Sequence, residues 1–287
     1  MNKKDYFKPD FIGVGAPRCG TTWIYDCLSE HPEICTSDIK ETNFFKENYD
    51  ERNSFEKYKD HFSHCSDNKI KGEFSSSYFH SQDALARIKN VYPDVKIILS
   101  LRSVVDKLIT SFYDRNRHKK NLTKKDFDKF FKKRFFGKDV YFYSDKVKFI
   151  LDTFDEDRLH IIIFKDLKDN PEETIKNLYS FLGVKEDFIP KTINEKSNKI
   201  DSFYFPRVIK FFHKIYNSAK RNHSLYLVLR KLRLFTLGRK LIDLLGKRRK
   251  RSLASNKEFK KKLFQSFEKD TERLEKMLDE DLEHWKY

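Results

Sequence analysis

A short apolar run that ends in a glycine-bearing turn most constrains how this chain can fold. The run Phe11-Ile-Gly-Val-Gly15 is bounded by turn residues, which is typical of a buried strand. After the turn Gly15-Ala-Pro-Arg-Cys-Gly20, apolar residues recur at helical spacing from Thr22 to Ser29, and His31-Pro32 closes the pattern. A strand, a glycine turn and a helix N-terminus in this order direct free backbone N–H groups and the helix dipole to one place. The pattern predicts an anion-binding loop; the alternative is a tight turn that holds no ligand.

The loop differs from that of nucleoside triphosphatases in the position of its cation. The two glycines have the P-loop spacing, but Thr21-Thr22 replaces the Lys-Ser/Thr pair that follows there. The cation lies inside the loop instead, as Arg18. A triphosphatase loop needs its lysine for the β- and γ-phosphates and its hydroxyl for Mg²⁺. The sequence therefore favours a shorter anion of two linked groups and no metal, and a small-molecule kinase with an altered P-loop is the alternative enzyme.

Two further β-branched runs, Lys96–Leu101 and 159–164, are each followed by a helical pattern. Strands that alternate with helices pair in parallel, with helices covering both faces of the sheet. We therefore predict an α/β, P-loop-like three-layer fold with a central, mostly parallel sheet. Beyond Ile200 the pattern is helical almost to the end, which predicts a core over residues 1–200 and a basic helical C-terminal extension over 201–287, packed on the core as a single domain overall.

The positive charge is concentrated in that extension. The chain carries 60 Lys and Arg against 44 Asp and Glu, a net charge of +16. Residues 207–251 hold 15 of the cations and one acid, Asp243. Leucines interleave with these cations, which favours contact with an anionic membrane surface; a solvated helical face is the alternative. Nucleic acid is not expected as a partner, because no DNA- or RNA-reading motif accompanies the charge. A non-catalytic basic membrane- or nucleic-acid-binding protein remains a rival from a different class.

Cysteine usage and the N-terminus bear on the compartment. The four cysteines form no C-x-x-C pair, so we expect reduced thiols rather than a disulfide framework or a zinc site: Cys19, Cys27, Cys35 and Cys65. No stretch approaches the roughly 20 apolar residues of a membrane-spanning helix, and the N-terminus lacks the apolar run of a signal peptide. We therefore expect a cytoplasmic protein, with peripheral contact at the inner membrane face through residues 207–251.

The loop residues carry a specific resemblance. Ala16-Pro-Arg-Cys-Gly-Thr-Thr-Trp23, with His31-Pro32 at the helix end, resembles the 5′-phosphosulfate loop of the PAPS-dependent sulfotransferases, especially their bacterial and carbohydrate branches. PAPS, 3′-phosphoadenosine-5′-phosphosulfate, is the sulfate donor of that family, and 3′-phosphoadenosine 5′-phosphate (PAP) is its product. The resemblance implies that six loop residues bind the nucleotide: Arg18, Cys19, Gly20, Thr21, Thr22 and Trp23. It also implies that Arg18 neutralises charge on the leaving oxygen.

A second segment, Arg102 to Ser111, is similar to the family's 3′-phosphate motif, an Arg followed eight residues later by a Ser. A guanidinium at a strand end and a hydroxyl two turns along a helix can share one phosphate. Thr110 has the family spacing and Ser111 is the rival, so both stay candidates; an ion pair with Asp106 is the alternative role for Arg102. The resemblance further implies a late loop over the nucleotide, from which Lys196 or Lys199 reaches the 3′-phosphate.

The acceptor side is implied by two more segments. Lys40-Glu41-Thr-Asn-Phe-Phe45 resembles the family's Lys-Glu-Pro-x-Phe-Phe stretch, whose Glu removes the acceptor proton. Glu41 is thus the implied general base, with Lys40 beside the acceptor; an exposed acid in a polar loop is the alternative. The segment Gly72 to Tyr78 resembles an acceptor-side stretch, which implies substrate-binding roles for Glu73 and Tyr78, with a structural role as the alternative for Glu73. The implied activity is sulfuryl transfer from PAPS to a hydroxyl of a carbohydrate or glycolipid. The sequence specifies neither which acceptor is used nor the oligomeric state.

Overall fold

The computed structural model describes residues 7–46, 55–116, 119, 121–135, 142–194 and 252–287. The basic region 207–251, the residues Lys196 and Lys199, and the boundary expected at residue 200 lie outside these ranges, so the predictions made on them stay predictions. None of the helices in the described ranges combines the length and the hydropathy needed to cross a membrane.

Five parallel strands form the centre of the molecule, in the order β2-β3-β1-β4-β5. Their bounds are β1 Phe11–Gly15, β2 Ile34–Thr36, β3 Ile70–Phe74, β4 Lys96–Leu101 and β5 Leu159–Ile163. Every residue of β1 is buried, as expected of a central parallel strand covered on both faces. The α/β class and the parallel sheet flanked by helices are thereby confirmed. β1 and β4 have the predicted bounds, whereas β2 and β3 were not predicted.

The helices lie in the connections between the strands and continue after β5. They are α1 Thr21–Glu30, α2 Phe55–Asp60, α3 Gln82–Val91, α4 Val104–Arg115, α5 Lys124–Phe135, α6 Ser144–Thr153, α7 Phe164–Asp169, α8 Pro171–Leu182, α9 Ser252–Ser255, α10 Lys257–Phe264 and α11 Glu268–Leu278. One buried cluster joins the apolar stripes of α1 and α8 to sheet residues such as Phe11, Ile98 and Ile162. Burial of this contiguous apolar surface is the main force that holds these helices on the sheet.

The chain divides into two compact units. Unit 1 contains residues 1–107, 139–197 and 261–287, and therefore the whole sheet. Within it the C-terminal helix α11 is tied to α6, because the buried Asp270 carboxylate accepts hydrogen bonds from the backbone N–H groups of Tyr143 and Ser144 at 2.7 and 3.0 Å. Unit 2 contains residues 108–138 and 198–260, and in its described part Phe127 packs against Phe112 and Phe259.

The expectation of four reduced thiols is wrong for one pair. Cys35 in β2 and Cys65, five residues before β3, form a disulfide with their Cα atoms 5.7 Å apart. The two residues are 30 positions apart in sequence, and the parallel pairing of β2 with β3 is what brings them together. Spacing along the chain carries no signal for this pair. Cys19 and Cys27 are free and buried.

Candidate active site

The turn between β1 and α1 has a backbone that only glycine accepts at its last position. Gly20 is the N-cap of α1 and adopts a left-handed conformation, with φ of 86°. A Cβ atom on Gly20 would lie 2.8 Å from Cδ1 of Leu167. The first-turn N–H groups of a helix have no partner within the helix, and a glycine N-cap brings no side chain to bind them. The start of α1 therefore presents backbone donors and the positive end of its dipole.

Strand β4 holds both sides of this turn in place. The N–H of Ala16 donates to the carbonyl of Ser100 at 2.8 Å, and the hydroxyl of Ser100 donates to the carbonyl of Cys19 at 2.5 Å. Arg18, between them, has a left-handed backbone with φ of 70° and is exposed. The Cys19 side chain is fully buried, and burial raises the pKa of its thiol. The loop thus exposes its cation to solvent and keeps its thiol inside the protein.

The next three residues differ in what they expose. Thr21 and Trp23 are 5% and 8% exposed, and Trp23 belongs to the core cluster behind the loop. Thr22 is half-buried. Its hydroxyl is the more accessible of the two threonine hydroxyls, whereas Thr21 and Trp23 offer mainly their backbone N–H groups.

Glu41 lies beside the start of the same loop. Its N–H donates to the carbonyl of Phe74 at 2.8 Å, which docks the segment after β2 onto the end of β3. Its Oε1 accepts hydrogen bonds from Nζ of Lys40 at 2.6 Å and from the hydroxyl of Ser76 at 2.7 Å. The carbonyl oxygen of Ser76 would be 3.1 Å from a Cβ atom on Gly15. The side chain of Glu41 stays 28% exposed, so a partly accessible, hydrogen-bonded carboxylate lies near the turn between β1 and α1.

Glu73 and Tyr78 form the interior support of this segment. Glu73 is fully buried, and burial raises the pKa of its carboxyl group. It accepts hydrogen bonds from the hydroxyls of Thr42 at 2.5 Å, Ser75 at 2.7 Å and Tyr78 at 2.9 Å. Neither Glu73 nor Tyr78 has exposed surface for a substrate to contact. Since Thr42 follows Glu41 directly, the network positions the segment that carries the carboxylate.

Arg102 follows β4 at the same edge of the sheet. Its guanidinium stacks 4.3 Å from the ring centroid of Phe164, and its Nη2 lies 3.7 Å from Oδ2 of Asp106. The Asp106 contact is the ion pair considered as the alternative role for Arg102. Nε of Arg102 is nevertheless buried without a hydrogen-bond partner in the described part of the chain. Arg102 thus has a donor left over for a further group.

Two hydroxyl groups are candidates to share a phosphate with Arg102. Thr110 and Ser111 both lie on α4, in the portion assigned to unit 2. Thr110 is 8% exposed and Ser111 is half-buried. Thr110 stays the candidate with the motif spacing, and Ser111, one position later, stays its rival.

Three contributing residues were missed by the sequence analysis. Ser76 and Ser100 orient Glu41 and Cys19, but nothing in the sequence distinguishes them from their serine neighbours. Lys107 is 3% exposed, with its Nζ 4.6 Å from the ring centroid of Tyr143. The apolar residues on either side of it along α4, such as Val104 and Leu108, are the available signal that this lysine is internal.

The turn after β1, the partly exposed Glu41 carboxylate after β2 and the Arg102 guanidinium after β4 thus lie at one edge of the parallel sheet. Ligands of open α/β sheets usually bind at this edge. The sequence model of the sulfotransferase domain matches residues 8–222. The chain therefore belongs to the sulfotransferase family.

Individual relatives agree with this assignment. The chain is 29% identical over 108 residues to the membrane-associated sulfotransferase kil1 of Dictyostelium discoideum, a match covering 37% of this chain and 22% of that protein. It is 30% identical over 104 residues to the human heparan sulfate glucosamine 3-O-sulfotransferase 3B1, covering 36% of this chain and 26% of that protein. These matches span less than a third of either relative.

Among solved structures, a sulfotransferase from Alicyclobacillus acidocaldarius superposes with a TM-score of 0.56 and 24% identity. The match covers 76% of this chain and 96% of that one. At this identity the likeness demonstrates a shared fold.

Proposed function

We propose that this chain transfers the sulfuryl group of PAPS to a hydroxyl of a carbohydrate or glycolipid, with Glu41 as the general base. The observation that carries the proposal is the contact of Glu41 with Ser76, whose backbone adjoins Gly15 at the start of the anion-binding turn. A base and an anion site are thereby neighbours, as transfer to a hydroxyl requires.

The residues of the turn fit a sulfated nucleotide. The left-handed Gly20 leaves the first-turn N–H groups of α1 open to an anion, and the exposed Arg18 adds a guanidinium. Thr22 supplies a hydroxyl, and Arg102 retains a donor in its buried Nε. In this proposal Arg18, the loop amides and Thr22 hold the phosphosulfate, and Arg102 holds the 3′-phosphate. The prediction that Thr110 or Ser111, and Lys196 or Lys199, assist Arg102 is kept.

PAPS, when bound, supplies the activated sulfuryl group. The part of Glu41 is to take the proton of the acceptor hydroxyl, in an orientation that Lys40 and Ser76 set. The part of Arg18 and the α1 N-terminus is to stabilise negative charge that develops on the leaving side. Glu73 and Tyr78 are assigned a positioning role through Thr42, in place of the direct acceptor contact that the motif implied.

A sugar acceptor is supported by the names of two human relatives, a heparan sulfate glucosamine 3-O-sulfotransferase and a bifunctional heparan sulfate N-deacetylase/N-sulfotransferase. A glycolipid acceptor is compatible with the cation- and leucine-rich region 207–251, and one relative is named as membrane-associated. We propose accordingly that this region contacts an anionic membrane surface and that the chain resides in the cytoplasm.

Incubation with radiolabelled PAPS and a panel of glycans and glycolipids, without metal, tests the activity. We expect label in an acceptor with the wild-type protein, and a loss of about 10²–10³-fold with Arg18→Ala, as for removal of other transition-state donors. Calorimetry separates the rival enzyme: binding of PAP without metal supports the proposal, whereas binding of ATP only with Mg²⁺ supports a kinase. If the chain binds anionic vesicles or DNA but no nucleotide, it is a binding protein without this activity.

The compartment is tested by alkylating thiols in intact cells. Because a reducing cytosol keeps most protein thiols free, the Cys35–Cys65 pair reports on the compartment, and labelling of both thiols in intact cells supports the cytoplasmic assignment. An oxidised pair in freshly lysed cells would place the chain in an oxidising compartment and contradict the cytoplasmic assignment.

A further inference from the structure

A buried lysine behind the anion-binding turn has no role in the chemistry described so far. Lys107, in the first turn of α4, is 3% exposed. Its Nζ is buried and has no hydrogen-bond partner among the described residues. An ammonium group in such a position is rarely retained without a function, because burial of an unpaired charge is strongly unfavourable.

The surroundings of Lys107 place it directly behind the turn. Its Nζ lies 4.6 Å from the ring centroid of Tyr143 and 5.5 Å from that of Phe79. The hydroxyl of Tyr143 contacts Sγ of Cys19 at 3.6 Å, and Cβ of Phe79 would be 2.6 Å from a Cβ atom on Gly15. Two aromatic side chains therefore separate the ammonium from the inner side of the turn, at its first glycine and at Cys19.

No carboxylate is among the described groups that shift the pKa of Lys107, and the acid that faces it is the Cys19 thiol. The pKa of Lys107 is lowered to about 8, mainly by burial and to a smaller extent by the nearby Lys146 of α6, whereas the Cys19 thiol acts in the opposite direction. The titratable or charged groups around it are the thiol of Cys19 in the turn, the hydroxyl of Tyr143 before α6, the ammonium of Lys146, the imidazole of His80 and the guanidinium of Arg102.

Burial raises the pKa values of the Cys19 thiol and the Tyr143 hydroxyl. Desolvation of the ring and the neighbouring Lys107 and Lys146 lower the pKa of the His80 imidazole. These three groups are therefore neutral at pH 8.5. The ammonium of Lys146 lowers the pKa of Lys107 and so favours its neutral form until an anion binds.

We propose that Lys107 is a second, buried cation of the nucleotide site, which takes up a proton when the nucleotide binds and strengthens its binding through the turn without touching it. The inference rests on the proposed nucleotide site. It assigns Lys107 as a positioning residue whose charge state is coupled to occupancy of that site.

The direction of the coupling follows from charge. A bound phosphate or phosphosulfate attracts the ammonium form through a medium of low dielectric constant, so the pKa of Lys107 rises on binding. Between its pKa in the free and bound protein, Lys107 is largely neutral before binding and charged afterwards. Nucleotide affinity therefore falls as pH rises through about 8, and becomes constant again above the pKa of the bound state.

Calorimetry of PAP binding to the full chain at pH 8.5 tests this, in two buffers that differ in protonation enthalpy. The difference in the apparent binding enthalpy reports proton uptake. At this pH the phosphates of PAP are fully ionised, because their second pKa is about 6. We expect the wild-type protein to take up a substantial fraction of one proton, and to take up much less at pH 6.5, where Lys107 is already charged.

Two variants identify the group. Lys107→Arg keeps a charge that does not titrate in this range, so it should bind PAP within a few-fold of wild type with no proton uptake. Lys107→Met should bind about tenfold more weakly, the effect of one pKa unit, also without uptake. Exposed Lys124 provides the control, since Lys124→Met should behave as wild type.

Each outcome bears on the inference separately from the proposed function. PAP binding by the wild type without proton uptake at pH 8.5 overturns the role of Lys107 and leaves the nucleotide site intact. Proton uptake by the Lys107→Arg variant would likewise overturn the role of Lys107 and leave the nucleotide site intact. Failure of the wild type to bind PAP at any pH overturns the proposed function itself, and the inference with it.

Discussion

The hydroxyl of Ser76 donates a hydrogen bond of 2.7 Å to Oε1 of Glu41, across 35 residues of sequence. The contact exists because β2 pairs with β3, and the residues that follow these strands meet at one edge of the sheet. Ser76 also adjoins Gly15, at the end of β1. The side chain of Ser76 thus contacts the candidate base, and its backbone lies against the start of the turn between β1 and α1.

Replacing the base gives the first prediction. Glu41→Gln should lower the transfer rate by about 10²–10⁴-fold, the usual contribution of a general base, because an amide cannot accept the hydroxyl proton. PAP affinity should stay unchanged, as measured by calorimetry. Glu56→Gln, on α2, is the matched control and should keep full activity. Full activity of Glu41→Gln would remove Glu41 from the reaction.

Loss of the Ser76 hydroxyl should affect the rate and not nucleotide binding. Ser76→Ala removes one hydrogen bond to Oε1 of Glu41 and keeps the one from Lys40, so the carboxylate is less well oriented. We expect kcat to fall by about tenfold, which corresponds to ~1.4 kcal/mol, with PAP affinity as in wild type. Ser29→Ala removes an exposed hydroxyl of α1 and should have no effect. A wild-type kcat in Ser76→Ala would show that the hydrogen bond does not orient the base.

Gly20 and Gly183 have similar backbone conformations. Comparing their alanine variants therefore separates the effect of backbone strain on stability from the effect of the turn on nucleotide binding. Gly20 and Gly183 have φ of 86° and 80°, but a Cβ atom would lie 2.8 Å from Leu167 at Gly20 and 3.9 Å from Lys96 at Gly183. Both alanine variants should lower the free energy of unfolding by roughly 1–2 kcal/mol through the left-handed backbone. Only Gly20→Ala should lose PAP binding by more than about tenfold, because it displaces the turn. Equal PAP affinity in the two variants would contradict an anion site at the α1 N-terminus.

Because the ammonium of Lys107 is buried, we expect that removing its charge stabilises the folded protein. Its pKa is about 8 in the folded protein against 10.5 ordinarily, so between these values the unfolded chain binds more protons and wild-type stability rises with pH. At pH 7 the full penalty is present, and Lys107→Met should raise the free energy of unfolding by roughly 1–3 kcal/mol.

Urea unfolding of the nucleotide-free proteins at pH 7 and pH 10 measures this. The advantage of Lys107→Met should shrink at the higher pH, while Lys124→Met should match wild type at both. A variant that is less stable than wild type at pH 7 would indicate that Lys107 is an ordinary packing residue.

The disulfide should stabilise the edge of the sheet next to the base segment. Removing it by Cys65→Ser should lower the free energy of unfolding by about 2–4 kcal/mol, mainly by releasing a constraint on the unfolded chain. A thiol reductant should lower the stability of the wild type by a similar amount and should leave Cys65→Ser unchanged. Equal stability of oxidised and reduced wild type would contradict a stabilising role for this bond.

The sequence alone determined the features that depend on neighbouring residues. The apolar run of β1, the glycine spacing and the helical pattern after Thr22 lie within 20 residues, and they specify a strand, a turn and a helix N-terminus through local backbone preferences. The same local information placed a cation, Arg18, inside the turn and predicted the class of anion. The motif at Lys40-Glu41 indicated a base, but the sequence did not indicate what orients it.

Tertiary structure decided the rest, because it depends on strand order. The placement of β3 between β2 and β1 brings Ser76 to Glu41 and Cys65 to Cys35, and no local pattern encodes that order. The same packing buries Glu73 and Tyr78, which the motif had assigned to the acceptor. It also encloses Lys107 between two aromatic rings, although in the sequence it resembles any lysine of an amphipathic helix. Burial and charge environment are properties of the assembled core, and they turn a common residue into a candidate functional one.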